Sequence, residues 1–207
     1  MNKERSDEIL KELKSIIPNP KCELEFNNTF ELIIAVSLSA QTTDKRVNEI
    51  TKVLFSKYDS PKALMNASFE DVYEIIKPLG LANSKAKNII SISRDIHNNY
   101  NDVVPNKIEE LIKLDGVGRK TASVVLAVGF NIPALPVDTH LIRMANRLGY
   151  SKSNDPIVVE KDYKKYIKKS DWILAHHLLL LFGRYHCKAS NPNCECCKLT
   201  KYCKYDH

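Results

Sequence analysis

Apolar residues recur along this chain at three- and four-residue spacing. Ile9, Leu10, Leu13, Ile16 and Ile17 share one face of a helix that Pro18 ends. The run from Thr29 to Leu38 is apolar nearly all round, the pattern of a buried central helix. Val47, Ile50, Val53 and Leu54 give the next stripe, Ser60-Pro61 reads as an N-cap with proline in the first turn, and Ser68 with Asp71 resembles a capping box. After the break at Pro78-Leu79-Gly80, a stripe runs from Ala86 through Ile89, Ile90, Ser93 and Ile96. A short helix from Asn106 to Leu114 and a second from Arg119 to about Gly129 flank a glycine turn. Asp138 opens a helix that Gly149 ends, and two more follow near Pro156–Lys169 and Asp171–His186. No segment alternates over strand length beside hairpin turns, and no internal repeat is seen. The pattern predicts an all-α fold of about ten helices with an aperiodic tail from Cys187.

Composition narrows the class. At 207 residues, 43% hydrophobic and 27% charged, the chain reads as globular, with ample length for a core. Its start is charged rather than apolar, and Leu32–Val36 and Leu178–Phe182 are far too short to span a bilayer. A monomer of the cytoplasm or nucleoid is expected. The net charge of +6 is unevenly placed: residues 151–207 carry 11 Lys/Arg against 6 Asp/Glu, while residues 1–150 are nearly balanced. A basic C-terminal region suits a polyanionic partner, though a solvated lysine-rich surface has the same composition.

The densest chemistry lies in Leu114-Asp115-Gly116-Val117-Gly118-Arg119-Lys120-Thr121-Ala122. Glycines two apart let the backbone approach another molecule closely, and the turn opens a helix whose first amides lack internal partners. Gly116, Val117 and Gly118 can thus hold a phosphate with backbone donors, which gives grip without base specificity. Lys120 falls in the first helical turn beside Arg119, where the dipole and a like charge disfavour an ammonium. Two roles stay open for it: a phosphate contact, or an amine nucleophile that attacks a sugar carbon. Further on, Asp138 in Pro136-Val137-Asp138-Thr139-His140 sits where an N-cap belongs. A capping carboxylate held toward a substrate also suits proton transfer or stabilisation of a cationic sugar. His140 is a candidate phosphate contact.

Six cysteines are present, and five of them fall between residues 187 and 203. Cys187, Cys194, Cys197 and Cys203 offer four soft ligands with six-, two- and five-residue gaps, which suits an iron–sulfur cluster or a structural zinc. Cys196 is an extra thiol beside the third candidate ligand. Cys22 stands alone.

Taken together, the glycine hairpin with its lysine, the Val-Asp-Thr-His stretch and the cysteine spacing resemble the endonuclease III family of helix-hairpin-helix DNA glycosylases and AP lyases. The resemblance covers essentially the whole chain. It implies a two-lobed all-α fold, with residues 22–132 as a helical barrel lobe containing the hairpin (about 108–127). Residues 1–21 and 133–207 form the second lobe, ending in a structural [4Fe-4S] loop (187–203). It implies Lys120 as nucleophile, Asp138 as its catalytic partner, and the four spaced cysteines as cluster ligands. It also singles out two loop residues that the pattern alone does not. In Ser39-Ala40-Gln41-Thr42-Thr43, where Thr42 or Thr43 reads as a helix cap, Gln41 fills the space left by an extruded base; Leu81 after Gly80 wedges from the other side. Ala82, in place of a larger aromatic, and Asp115, in place of proline, depart from the family pattern. The implied function is a bifunctional glycosylase and AP lyase of base-excision repair. It removes oxidised or damaged pyrimidines from duplex DNA and nicks by β-elimination through a lysine Schiff base. A non-catalytic damaged-DNA-binding module, a mismatch glycosylase and, more remotely, a zinc-containing transcription factor are the competing readings.

Overall fold

A computed structural model of the protein describes residues 1–205. Among the described residues every regular element is helical, as the three- and four-residue spacing predicts. Helices α1 (Lys3–Ile16), α2 (Thr29–Leu38), α3 (Asp44–Lys57), α4 (Pro61–Met65), α5 (Phe69–Ile76) and α6 (Ala82–Tyr100) come first. They are followed by α7 (Ile108–Leu111), α8 (Arg119–Val124), α9 (Thr139–Leu148), α10 (Pro156–Tyr166) and α11 (Trp172–Tyr185). Among the described residues no helix is long and apolar enough to cross a membrane.

The chain divides into two compact units, residues 22–132 and residues 1–21 with 133–207. In the first, α6 packs against α2, α4 and α5. Helix α2 is apolar on nearly every side because it is buried on nearly every side: Leu32, Ile33, Ile34 and Ala35 are fully enclosed. Its one charge, Glu31, is buried and satisfied by the backbone N–H of Asn27 at 2.6 Å and the Asn27 amide. In the second unit α11 packs against α1 and α9 around Ile9, Leu13, Leu141, Met144, Tyr163 and Leu178.

The predicted caps form. Ser60 Oγ accepts from the N–H of Ala63, Ser68 Oγ from that of Asp71, and Gly149 ends α9 in the left-handed region. The Ser68–Asp71 box closes on one side only. The Asp71 carboxylate turns instead to Lys57, at 2.6 Å, and to the Tyr58 hydroxyl, which ties α5 to the end of α3. Two helices differ from their predicted extents. The segment Asn106–Leu114 contains only one α-helical turn, α7. The helix from Arg119 is α-helical to Val124 and then widens into a π-helical stretch, Val125–Gly129. The apolar run over 124–128 fits either winding, so the sequence does not distinguish them.

Candidate nucleic-acid interface and catalytic residues

The glycine hairpin lies in the unit 22–132. Leu111, Leu114 and Val117 are buried and anchor it, and the turn closes through the Val117 N–H to Leu114 O at 3.0 Å. Val117 therefore offers a partner only its backbone. The two glycines serve different ends. Gly116 has φ +73°, and a Cβ there would stand 2.8 Å from the Asn88 side chain of α6, so any other residue is strained and crowded. Gly118 is extended, with φ −80°, and a Cβ there would meet open space. It is the N-cap of α8 with no side-chain cap, which leaves first-turn N–H groups directed outward. Arg119 and Lys120, the first and second residues after the turn, are both exposed at this open face.

Asp138 is held from three directions in the other unit. Its Oδ1 accepts from the N–H groups of His140 at 2.9 Å and Leu141 at 3.0 Å. Just before it, the Pro136 carbonyl accepts from His176 Nδ1 of α11 at 2.9 Å, which fixes the proton on that ring nitrogen; just after it, the Leu141 carbonyl accepts from the buried Tyr163 hydroxyl at 2.8 Å. The carboxylate is half-buried, and its Oδ2 takes no hydrogen bond among the described residues. The cap role and a chemical role are thus compatible, one oxygen for each. His140 is half-buried and its Nδ1 meets Arg143 Nη2 at 3.1 Å. Burial pulls its pKa below the ordinary histidine value; Asp138 opposes this and Arg143 and Arg184 add to it. With Nδ1 turned toward Arg143, Nε2 is the ring nitrogen left to meet a phosphate.

The cysteine loop is tied down by two arginines that the sequence did not single out. Arg143 and Arg147 lie four residues apart on α9, hence on one face. Arg143 Nε donates to Cys187 O at 3.1 Å and Nη2 to Gly183 O at 2.6 Å. Arg147 donates to Cys187 Sγ at 3.0 Å and to the carbonyls of Lys188 and Ala189. Cys187, Cys194, Cys197 and Cys203 are half-buried, whereas Cys196 is exposed. Cys187 and Cys197 pack against the apolar core of this unit. Burial pushes the Cys187 thiol up; Arg147 opposes this, and Cys203 and Cys197 add to it. Among the described residues no three of these groups stand close enough to form a ready metal site. Four clustered thiolates repel one another, and a bound cation is what draws such a set together. The donor set, its burial and the arginine against Cys187 fit a thiolate-ligated cluster.

Gln41 and Leu81 both belong to the unit 22–132, and both are exposed residues with left-handed backbone, φ 56° and 51°. Gln41 lies in the turn before α3. Thr43 caps that helix, accepting from the Arg46 N–H. Leu81, 57% exposed, occupies the N-cap position of α6. Behind them sits a residue that sequence reasoning missed: Lys85, only 5% exposed.

Residues 34–169 match the model of the HhH-GPD superfamily of base excision DNA repair proteins. The chain is 44% identical over 205 residues to the endonuclease III of Bacillus subtilis strain 168, covering 99% of this chain and 94% of that protein. It superposes with a TM-score of 0.95 on an endonuclease III in a non-covalent complex with DNA, at 43% identity and covering 99% and 96% of the two chains. The score is 0.94, with the same identity and coverage, for an endonuclease III trapped as a covalent intermediate with DNA.

Proposed function

The chain belongs to the endonuclease III family within the HhH-GPD superfamily of base excision DNA repair proteins, and on that footing we propose that Lys120 and Asp138 carry its chemistry. The protein is a DNA N-glycosylase and AP lyase that acts on duplex DNA. Its substrates in this reading are oxidised or ring-damaged pyrimidines.

The turn Gly116–Gly118 grips a phosphate through backbone N–H groups, with the open space in front of Gly118 as the approach. Gln41 fills the place of the extruded base, Leu81 wedges the opposite side, and His140 donates from Nε2 to the backbone. The Lys120 amine attacks C1′ of the extruded nucleotide, forming the N–C1′ bond as the glycosidic bond breaks. The base departs with that electron pair and takes up a proton. Asp138, through its uncommitted oxygen, receives the proton that the amine loses and stabilises positive charge on the sugar. The C1′–O4′ bond then opens to the Schiff base. Loss of a C2′ proton expels the 3′ phosphate, which nicks the strand on the 3′ side, and water hydrolyses the imine to free Lys120. Cys187, Cys194, Cys197 and Cys203 would hold a [4Fe-4S] cluster, whose contribution is to fix a loop that also carries Lys188, Lys198, Lys201 and Lys204. The exposed Cys196 is left out of this ligand set, because Cys197 packs on the core and interacts with Cys187.

One observation carries the reading. Lys120 stands exposed beside an open phosphate-binding turn, in a chain that is 43% identical to an enzyme caught covalently on DNA. Borohydride reduction during reaction with a thymine glycol duplex tests it. The wild-type protein should become linked to DNA, and Lys120→Gln should bind the duplex without linking or nicking. Full activity in Lys120→Gln would refute the reading.

A further inference from the structure

Lys85 is the fourth residue of α6 and points away from solvent. Its Nζ donates to Thr42 Oγ1 at 2.9 Å and to the Leu79 carbonyl at 3.0 Å. Thr42 Oγ1 in turn donates to the same carbonyl at 2.7 Å. Three chain segments meet at this triangle: the turn before α3, the turn before α6, and the first turn of α6. Thr42 follows Gln41 directly, and Leu79 precedes Leu81 by two residues. Among the described residues no carboxylate pairs with the Lys85 ammonium, and burial alone lowers its pKa.

A buried lysine facing only neutral oxygens is a costly way to fill space, and an apolar side chain would do so at less cost. Gln41 and Leu81 are also costly as they stand, since side-chain-bearing residues rarely adopt φ near +50° and hold it only where the surroundings over-determine the backbone. The triangle supplies that determination from beneath. It leaves both side chains exposed on the surface above.

We propose that Lys85 is a positioning residue for base extrusion: it ties the turn carrying Gln41 to the turn carrying Leu81, so that the two side chains enter the duplex as one rigid piece. This rests on the reading of Gln41 and Leu81 as duplex-entering groups. Lys85 touches neither the sugar nor the base. Its effect is on the cost of opening the helix, so it depends on how firmly the damaged base is paired.

Single-turnover base release by Lys85→Met, which keeps the unbranched apolar stem, tests this on two duplexes. One has thymine glycol opposite adenine and the other has it opposite thymine, where extrusion costs less. The expected loss is about tenfold on the paired lesion, the scale of losing hydrogen bonds from a charged donor, and about twofold or less on the mispaired one. A 2-aminopurine beside the lesion should brighten about tenfold more slowly in the paired duplex, in step with base release. Equal loss on both duplexes overturns the proposal, because the lysine then only maintains the fold; so does no loss on either. If Lys85→Met does not fold, Thr42→Val, which removes one corner of the triangle from a partly exposed position, carries the same comparison with the same outcomes. Leu81→Ala, run in parallel, tests the underlying reading. Indifference of Leu81→Ala to pairing discards duplex entry and the proposal with it. Dependence on pairing in Leu81→Ala but not in Lys85→Met discards the proposal alone.

Discussion

Arg147 on α9 donates through Nη1 to the sulfur of Cys187 at 3.0 Å, so one guanidinium grips the first cysteine of a loop forty residues further along the chain. The same guanidinium also donates to the carbonyls of Lys188 and Ala189, and its Cζ lies 4.1 Å from the centroid of the Tyr205 ring. Replacement by methionine removes all of these bonds from a side chain that is itself buried. Arg147→Met should lose about 2–4 kcal/mol of stability, by the usual cost of breaking charge-assisted bonds at a buried site. Its iron content per chain and its absorbance near 400 nm should fall together. Full iron loading and an unchanged thermal midpoint would show that Arg147 does not organise the loop.

The hairpin glycines should separate under the same substitution. Gly116→Ala forces a Cβ into a left-handed residue 2.8 Å from Asn88 and should cost about 1–3 kcal/mol. Gly118→Ala meets nothing within the protein and should shift the thermal midpoint little, yet it puts a methyl group on the proposed phosphate-binding face, so DNA affinity should fall. Thermal denaturation and duplex titration of both variants check this. Equal destabilisation by the two substitutions would contradict it.

These details mark where sequence reading stops. Spacing reveals that a glycine turn joins two helices, but not which glycine takes positive φ, because that depends on Asn88 approaching from another helix. The burial of α2 was legible because its apolar residues cover the whole circumference. Thr42 and Thr43 were equivalent as caps on local grounds; the structure gives the cap to Thr43 and turns Thr42 toward Leu79. Lys85, Arg143 and Arg147 escaped notice for one reason. A long charged side chain reads as solvated until the tertiary contacts that bury it are known. The candidate catalytic and cluster residues could be picked out as candidates because they sit in local motifs.

The cap made by Asp138 and its proposed chemical role should separate under two replacements. Asp138→Asn keeps an oxygen to accept from His140 and Leu141, so stability should hold while base release falls, by about 100-fold or more for loss of a proton acceptor. Asp138→Ala loses the cap as well and should give up a further ~1 kcal/mol of stability. Single-turnover kinetics and urea denaturation on both variants test this. An Asn variant with wild-type rates would remove Asp138 from the chemistry.

Stability should depend on pH through His177. It is 8% exposed, its Nδ1 has no hydrogen-bond partner among the described residues, and burial lowers its pKa. His140 shifts the same way. The unfolded chain takes up these protons first. The stabilising contribution is therefore complete above about pH 6.5, the ordinary histidine range, and is lost as the pH falls through the lower folded values. Unfolding free energies from urea denaturation should fall between pH 7.5 and pH 5, by at most about 1.4 kcal/mol per pH unit for His177, the midpoints falling with them, and His177→Leu should flatten the slope. A wild-type midpoint that holds or rises toward pH 5 would contradict this.

In the proposed reaction one amine, that of Lys120, bonds to the sugar of a damaged nucleotide. Mass spectrometry of peptides from the borohydride-trapped wild-type adduct tests it most directly. The deoxyribose-derived mass should fall on the peptide containing Lys120, with fragmentation placing it on that side chain. The same mass on another lysine or on the N-terminal amine, with Lys120 unmodified, would contradict the account.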